Sequence, residues 1–305
     1  MGLGSYRASD WTRLRSSKGL TQVNRVEKVF TVSSAAGKYD VRNIRVRESR
    51  DSDDSPRSTP VIIGFDVTAS MGYLAKELAV NAINKTVTDL CRNKPITNPH
   101  VMCAAIGDCK SDKSPLQVTQ FEADIRIIEQ LTSLYLEGGG GGNGGESYNL
   151  LWYFAAFHTS ADCFEKRNEK GFLFTIGDDD CHAQLTAAEI NRVFGDCVKY
   201  PLSNEELIRE AQRKYNVFHI HIETDSPYSA ATFAGWQKLM PGNAAIINKK
   251  DIGCISELIT AIIGVASGKS ANEALKGLDQ SAAEKISRSM AFINTKPNNS
   301  NTISF

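Results

Sequence analysis

The segment PVIIGFDVTASMG, residues 60–72, decides the fold class of this chain. Residues 61–65 form a short uninterrupted apolar run, which is typical of a strand buried on both faces of a parallel sheet. A helical pattern follows at once, with Leu74, Leu78 and Ile83 on one apolar stripe. A buried strand that turns directly into a helix predicts an α/β domain.

The alternation continues through residue 263. The predicted strands are 61–65, 100–106, 116–119, 171–176, 217–222 and 244–247, and the later predicted helices are 125–136, 147–157, 186–194, 204–213, 231–239 and 252–263. This order predicts an open, mostly parallel, doubly wound α/β sheet with helices on both faces. Ligands of such sheets bind at the carboxyl ends of the strands, so polar residues just after strands are the candidates for a site.

The chain divides into three predicted parts. Residues 1–59 are a basic N-terminal extension and linker, 60–265 the α/β domain, and 266–305 a C-terminal amphipathic helix and tail. Residues 1–50 carry 11 Lys or Arg against 4 Asp or Glu, a net charge of +7. Two short predicted strands, 26–32 and 41–47, predict a β-hairpin within the extension, and the polar segment 48–59 predicts a linker or surface loop.

Composition restricts the class of protein. The 305 residues carry 35 basic and 35 acidic side chains, so net neutrality argues against a nucleic-acid coat, and nucleic-acid contact is expected only through the basic N-terminal arm. No apolar run reaches the roughly 18–20 residues of a membrane span. The start of the chain lacks the apolar core of a secretory signal. The seven cysteines include no CxxC pair, which favours reduced thiols and a cytoplasmic location.

The residues that carry chemistry follow the first strand. Asp66, Thr68 and Ser70 form an Asp-x-Thr-x-Ser cluster that places one carboxylate and two hydroxyls at one turn. Hard cations prefer oxygen ligands, and Mg²⁺ takes six of them. Neutral hydroxyls leave the bound ion electron-poor, so that it can still accept an acidic group from outside the protein.

This cluster resembles the metal-ion-dependent adhesion site of the von Willebrand factor A family, usually written Asp-x-Ser-x-Ser. The family adds a Thr from a second loop, here the glycine-rich run 138–145, which contains no Thr. Glu146 or Ser147 would have to serve in its place. The family's Asp after a later strand matches Asp178, with Asp179 a close second. The resemblance covers about residues 60–265, and the glycine-rich run looks like intracellular bacterial or phage-encoded members.

The resemblance implies a protein-binding module and no enzyme. Asp66, Thr68, Ser70 and Asp178 would hold Mg²⁺ or Mn²⁺, and an Asp or Glu of a partner protein would complete its coordination. Intracellular relatives of this family commonly act as adaptors beside AAA+ ATPases or within multi-protein assemblies, so a partner of that class is expected.

Three alternatives stay open. A haloacid-dehalogenase-like phosphatase would use Asp66 as its nucleophile, but its chemistry needs a second carboxylate where Thr68 stands. A structural protein with no metal role would use Asp66 and the hydroxyls only to cap the helix. His219, His221 and Glu223 alternate along one strand, so they share a face and form a candidate zinc site, although packing histidines are the simpler interpretation.

Overall fold

The computed structural model describes residues 8–17, 29–35, 37–68, 71–138 and 144–294. Its strands are β1 (Arg47–Ser49), β2 (Thr59–Asp66), β3 (Pro99–Ile106), β4 (Leu116–Val118), β5 (Thr159–Ala161), β6 (Gly171–Gly177), β7 (Gln184–Leu185), β8 (Leu202–Ser203), β9 (Tyr215–Glu223) and β10 (Ala244–Asn248). Its α-helices are α1 (Ala8–Ser17), α2 (Gly72–Glu77), α3 (Ile83–Asn93), α4 (Arg126–Leu131), α5 (Tyr148–Phe157), α6 (Asp162–Arg167), α7 (Ala187–Phe194), α8 (Asn204–Ala211), α9 (Ser229–Leu239), α10 (Ile255–Ala266), α11 (Ala271–Ala274) and α12 (Gln280–Ser289).

The central sheet has six strands in the order β10-β9-β6-β2-β3-β4. Five of them run parallel, and β4 pairs antiparallel with β3 at one margin. The predicted open, mostly parallel α/β sheet is therefore confirmed. The parallel strands all end at the same side of the sheet, which we call the carboxyl edge.

Alternate side chains of the central strands pack into two separate hydrophobic cores, one on each face of the sheet. Val61 and Ile63 of β2 lie in the core that includes α3 and α10, whereas Ile62 lies in the core that includes α5 and α9. Because both faces are covered, these strands are apolar at nearly every position. Gly64 lets α5 approach the sheet closely, since a Cβ at this position would overlap the side chain of Leu151.

Most predicted elements between residues 60 and 263 are present, with shifted ends. All six predicted strands are confirmed. The long helix after Asp66 is α2 and α3 joined by a π-helical turn, Leu78–Ala82, and a 3₁₀ helix, Lys249–Cys254, precedes α10. The helix predicted over 125–136 ends earlier, at Leu131 in α4.

The predicted N-terminal hairpin is wrong in the described residues. Residues 29–35 contain no strand, and Val41–Asn43 form a 3₁₀ helix whose first turn Asp40 caps by accepting a hydrogen bond from the Arg42 amide. Val41 and Ile44 are buried three residues apart, a helical rather than an alternating spacing. Residues 26–28 and 36 lie outside the described ranges.

The segment expected to be a linker is fastened to the domain. Strand β1 pairs in parallel with β5, within a small separate sheet. Arg50 forms ion pairs with Asp162 at 2.9 Å and Glu165 at 2.5 Å, and Arg167 forms one with Asp51 at 2.6 Å. These contacts tie the stretch before β2 to α6, so it is an ordered connection and no free linker.

The C-terminal region contains two helices where one was predicted. A turn containing Gly277, at a φ of +91°, separates α11 from α12, and Asp279 caps α12 by accepting from the Ala282 amide. Ile286 and Met290 still pack into the core, as their spacing predicted. The tail from residue 295 lies outside the described ranges. Among the residues that the structure describes, no helix is long and apolar enough to cross a membrane.

Candidate functional site

The carboxyl edge brings together the ends of β2 and β6. Asp66 is the last residue of β2, and Asp178 follows directly on β6, which lies beside β2 in register. The chain leaves β2 for β3 on one side and later reaches β6 on the other, so the two strands flank the topological switch point of the sheet. This is the position at which open α/β sheets bind ligands.

Asp66 is fully buried at this edge. Its Oδ1 accepts a hydrogen bond from the Thr68 amide at 2.7 Å, and its Oδ2 accepts one from the Tyr148 hydroxyl at 3.3 Å. Burial raises the pKa of Asp66 to about 7; the bonds from Thr68 oppose this rise and the nearby charge of Asp178 adds to it. Ser70, the third member of the sequence cluster, lies outside the described residues.

Tyr148 is a site residue that sequence reasoning missed. It is the first residue of α5 and is completely buried. Its hydroxyl passes directly over Gly177 to reach Asp66, and a Cβ on that glycine would overlap the phenol oxygen. The only signal in the sequence was a polar aromatic residue at the start of an otherwise apolar helix.

Asp178 lies in the loop that follows β6, which we call the third loop. Its charge raises the pKa of Asp66. Burial raises the pKa of Asp178, the charge of Asp179 raises it further, and Lys249 opposes the rise. Asp179 has local contacts: its Oδ1 accepts from the Asp180 amide at 2.8 Å, and its carbonyl accepts from the Trp236 indole at 3.1 Å.

The glycine-rich loop contributes Glu146 to the same edge. Glu146 is 5% exposed, and its Oε2 is buried without a hydrogen-bond partner in the described part of the chain. Burial raises the pKa of Glu146 to about 9, and the nearby charges of Asp66, Asp108 and Asp112 contribute. Burial and the neighbouring acids both favour the neutral form of Glu146.

Ser147, the other candidate in this loop, forms its hydrogen bonds with the loop after β3. Its Oγ accepts a hydrogen bond from the Cys109 amide at 2.8 Å and donates to Asp108 at 3.3 Å. These bonds place it beside the loop after β3, and its oxygen is already engaged there.

A set of contacts around the buried His182, which we call the clasp, joins the loops after β3 and β6 to the end of the glycine-rich loop. His182 Nε2 lies 2.7 Å from Asp108 Oδ1, and its Nδ1 lies 3.2 Å from the Lys110 ammonium. The His182 amide donates to the Glu146 carbonyl at 3.2 Å, and the Glu146 amide donates to the Asp180 carbonyl at 2.8 Å. The position of Glu146 is therefore fixed by the loops that follow β3 and β6. Sequence reasoning missed this clasp because Asp108 and His182 are 74 residues apart.

The candidate zinc residues share one strand, β9, and among the described residues they are not grouped so as to hold a metal. His219 is stacked on Trp236 and lies 2.9 Å from Thr175 Oγ1, and His221 lies 3.0 Å from Ser229 Oγ. Glu223 is exposed and accepts from Asn248 at 2.8 Å. Burial lowers the pKa of both histidines, to about 4 for His221. These contacts are those of histidines packed beneath α9.

The candidate ligands at this edge are all oxygen atoms. Asp66, Glu146 and Asp178 offer carboxylate oxygens, and Thr68 is 7% exposed beside Asp66. Within the described ranges, no three His, Cys, Asp or Glu side chains are positioned to hold a metal together. The charge of Asp178 raises the pKa of Asp66 and the charge of Asp66 raises the pKa of Glu146, but the three carboxylates do not meet at a common point.

Comparisons with known proteins do not identify the chain. No family model matches it, and no curated protein matches it. Two solved structures of the pilus adhesin SpaC from Lactobacillus rhamnosus GG, one of them in an open conformation, align with 80% of this chain at 9% identity, with TM-scores of 0.41 and 0.40. The chain spans only 31% and 32% of the length of those chains. Likeness at this level carries no argument about function.

Proposed function

We propose that this chain is a metal-dependent protein-binding module of the von Willebrand factor A type, which binds Mg²⁺ or Mn²⁺ at the carboxyl edge. The observation that carries the proposal is the group of carboxyls at that edge, among them Glu146, whose buried Oε2 has no hydrogen-bond partner in the described residues. Three carboxylates from three separate loops lie there, and the pKa of Asp66 is raised to about 7 and that of Glu146 to about 9, in both cases first by burial. A divalent cation would supply the missing positive charge.

The proposed ligands come from all three loops. Asp66, Thr68 and Ser70 provide the first loop, and Asp178 provides the third, with Asp179 in an outer position. In the second loop, Glu146 is favoured over Ser147 as the replacement for the family's Thr, because its Oε2 has no partner in the described residues whereas the Ser147 hydroxyl is engaged with Asp108. An all-oxygen set of this kind favours Mg²⁺ or Mn²⁺ over Zn²⁺.

The proposed ligand of the ion is an Asp or Glu of a partner protein. Glu146 adds a negative charge that a Thr would not bring, so the ion is less electron-poor than in the usual family site. The partner class that the resemblance implies is an AAA+ ATPase or a multi-protein assembly, in the cytoplasm of a bacterium or phage-infected cell.

Binding is favoured over phosphate transfer because of the residue at position 68. A phosphatase that used Asp66 as its nucleophile would need a second carboxyl to move the proton, and Thr68 does not do so near neutral pH. An assay of Mg²⁺-dependent phosphate release from an aryl phosphate separates the two. The proposal expects no release above the Asp66→Asn background.

A melting-temperature series tests the metal site. Wild type, Asp66→Asn and the exposed control Asp53→Asn would be heated in EDTA and with Mg²⁺, Mn²⁺, Ca²⁺ or Zn²⁺. An ion bound only by the folded state, at a hundred times its dissociation constant, stabilises by about 2.7 kcal/mol. For a chain of this size that is a shift of a few degrees.

The expected result is a shift with Mg²⁺ or Mn²⁺ in wild type and in Asp53→Asn that disappears in Asp66→Asn. An equal shift in all three proteins would place the ion elsewhere. The absence of any shift with Mg²⁺ or Mn²⁺ would contradict the proposed site.

A further inference from the structure

Lys110 is an exposed lysine whose ammonium contacts a buried histidine. It lies in the loop after β3, and its Nζ is 3.2 Å from Nδ1 of His182. The opposite ring nitrogen of His182, Nε2, is 2.7 Å from Oδ1 of Asp108. The three side chains therefore form a line from a carboxylate through an imidazole to an amine, and none of them is a proposed metal ligand.

Asp108 determines which nitrogen of His182 carries the proton. The Asp108 carboxylate is fully buried and also accepts hydrogen bonds from the Lys110 amide at 2.9 Å, from the Ser111 hydroxyl at 3.1 Å and from the Ser147 hydroxyl at 3.3 Å. Because this carboxylate is an acceptor for all its partners, the hydrogen-bond network assigns the proton of neutral His182 to Nε2. Nδ1 is then the unprotonated nitrogen, and it accepts from the Lys110 ammonium.

Gly145 keeps the Nδ1 side of His182 open. This residue has a φ of +153°, and a Cβ there would lie 3.1 Å from Nδ1 and 3.2 Å from the Asp180 carbonyl. The His182 side chain is only 4% exposed, whereas Lys110 is exposed. A molecule in solution can therefore reach the amine, while the imidazole behind it is largely shielded from water.

A carboxylate that orients an imidazole toward a nucleophile is the arrangement that activates serine and cysteine in acyl transfer. Here the group in the place of the nucleophile is an amine, which attacks a carbonyl carbon only after it loses a proton. His182 Nδ1 is in contact with the amine and is placed to accept that proton. The imidazolium that results stays hydrogen-bonded to Asp108.

We propose that Lys110 is an acylation site at which His182, oriented by Asp108, is the general base for attack on a neutral thioester. The Lys110 nitrogen forms a bond to the thioester carbonyl carbon, and the bond from that carbon to sulfur breaks. The proton held by His182 passes to the departing sulfur, and the other proton lost by the amine goes to solvent. The products are an amide on Lys110 and a free thiol.

A neutral acyl donor fits the charge of this loop. The loop that carries Lys110 also carries Asp108 and Asp112, and the Asp108 amide donates to the Asp112 carboxylate at 2.9 Å. These carboxylates would repel an anionic donor. The inference goes beyond the proposed metal-dependent function and requires no bound ion.

The test treats the full chain with S-phenyl thioacetate, a neutral thioester, in the presence of EDTA. Mass spectrometry of the digested protein measures the acetylation rate at Lys110 and, as an internal reference, at Lys113, which is exposed in the same loop. The variants are His182→Ala, with and without free imidazole, and Asp108→Asn. His158→Ala is the matched control, because it removes a histidine that lies 2.8 Å from a different carboxylate, that of Asp196. Circular dichroism establishes that each variant is folded.

In wild type, Lys110 should be acetylated about a hundredfold faster than Lys113, the lower end of the range that a positioned base contributes. His182→Ala should bring the Lys110 rate close to that of Lys113, and free imidazole should restore part of the difference. Such rescue identifies a missing base, since imidazole would not repair a displaced loop. Asp108→Asn should slow Lys110 at least about tenfold, because the tautomer of His182 is no longer fixed. His158→Ala should leave both rates as in wild type.

Similar rates at Lys110 and Lys113 in wild type would overturn the proposal. A fast rate at Lys110 that survives in both His182→Ala and Asp108→Asn, or that is lost equally in His158→Ala, would also overturn it. If His182→Ala does not fold, wild type and Asp108→Asn decide the question. Because every rate is measured in EDTA, each of these results is independent of whether the proposed metal site exists.

Discussion

At the scale of single residues, the carboxyl edge holds two acids, Asp66 and Glu146, whose neutral forms are favoured by burial. The folded-state pKa values of Asp66, about 7, and Glu146, about 9, lie above the ordinary values of 3.8 and 4.5 for these side chains. The metal-free folded protein therefore holds protons that the unfolded chain releases. The stability linked to these protons is complete below about pH 4 and is lost as pH rises through the two folded-state values.

This linkage predicts the pH dependence of the metal-free protein. In EDTA, the urea midpoint should fall as pH rises from about 5 to about 9, and Asp66→Asn should fall less steeply. Added Mg²⁺ should offset the loss at high pH, because metal binding requires the ionised carboxylates. A midpoint that stays level or rises between these pH values in EDTA would show that the two carboxyls are not stabilised as acids.

A second residue-scale prediction separates Glu146 from Ser147. Glu146→Gln should weaken Mg²⁺ binding roughly ten- to a hundredfold, the range seen when a group supporting a metal site is lost. The same change should raise the melting temperature in EDTA at high pH, because a buried negative charge is removed. Ser147→Ala should change the Mg²⁺ affinity by less than about threefold, as should the exposed control Glu205→Gln. Calorimetric titration with Mg²⁺ measures all three, and a larger loss in Ser147→Ala than in Glu146→Gln would reverse the assignment.

Some residues of the candidate site could be predicted from the sequence and others could not. Asp66 and Asp178 could be predicted because each follows a buried strand, and parallel strands end at one edge. Tyr148 could not, because it lies within the apolar pattern of α5 and reaches the site only where Gly177 leaves room.

At the scale of elements, the site depends on three loops being held together. The Asp108–His182 contact is buried on both sides and lies behind Glu146, whose carbonyl accepts from the His182 amide. No single strand or helix positions Glu146. The clasp does so by joining the loops after β3 and β6 to the end of the glycine-rich loop.

His182→Ala should therefore act on metal binding as well as on stability. Loss of a buried hydrogen bond to a carboxylate should cost about 2 kcal/mol. Mg²⁺ affinity should fall about tenfold, because Glu146 loses its support. The control is His158→Ala. His158 directly follows α5, and its Nε2 lies 2.8 Å from Oδ2 of Asp196. Urea unfolding should show similar losses for both variants, while calorimetry shows weakened Mg²⁺ binding only for His182→Ala. Equal Mg²⁺ affinity in the two would reduce the clasp to a structural role.

Elements whose stability is local were the hardest to predict. Residues 41–47 were predicted to be a strand, but Asp40 caps a 3₁₀ helix at Val41–Asn43, and Val41 and Ile44 are buried at helical spacing. In the C-terminal region the apolar spacing was continuous, yet Gly277 and the Asp279 cap divide it into α11 and α12. In both regions an aspartate cap outweighed the apolar pattern.

At the scale of the whole molecule, the described part of the N-terminal extension belongs to the same body as the α/β domain. Trp11 and Phe30 are buried in the core formed by α3 and α10, and Arg50 is bound to α6. The fold class could be predicted because strands buried on both faces leave continuous apolar runs. The attachment of the extension could not, because it depends on contacts between residues more than 100 positions apart.

Trp11→Ala tests whether the extension stabilises the domain. Truncation of a large buried aromatic side chain should lower the free energy of unfolding by about 3 kcal/mol. Tyr200→Ala, at a side chain that is 75% exposed, should change it by less than about 0.5 kcal/mol. Denaturant unfolding monitored by the circular dichroism of the whole chain gives both values. Equal stability of the two variants would mean that the extension folds separately from the core.

The central claim is that a divalent cation binds among Asp66, Glu146 and Asp178, and anomalous diffraction from crystals containing Mn²⁺ tests it most directly. The account predicts an anomalous peak at the carboxyl edge, within coordination distance of Asp66 and of Glu146 Oε2, which is lost in crystals of Asp66→Asn. A peak beside His219 and His221, or no peak at the carboxyl edge at saturating Mn²⁺, would contradict it.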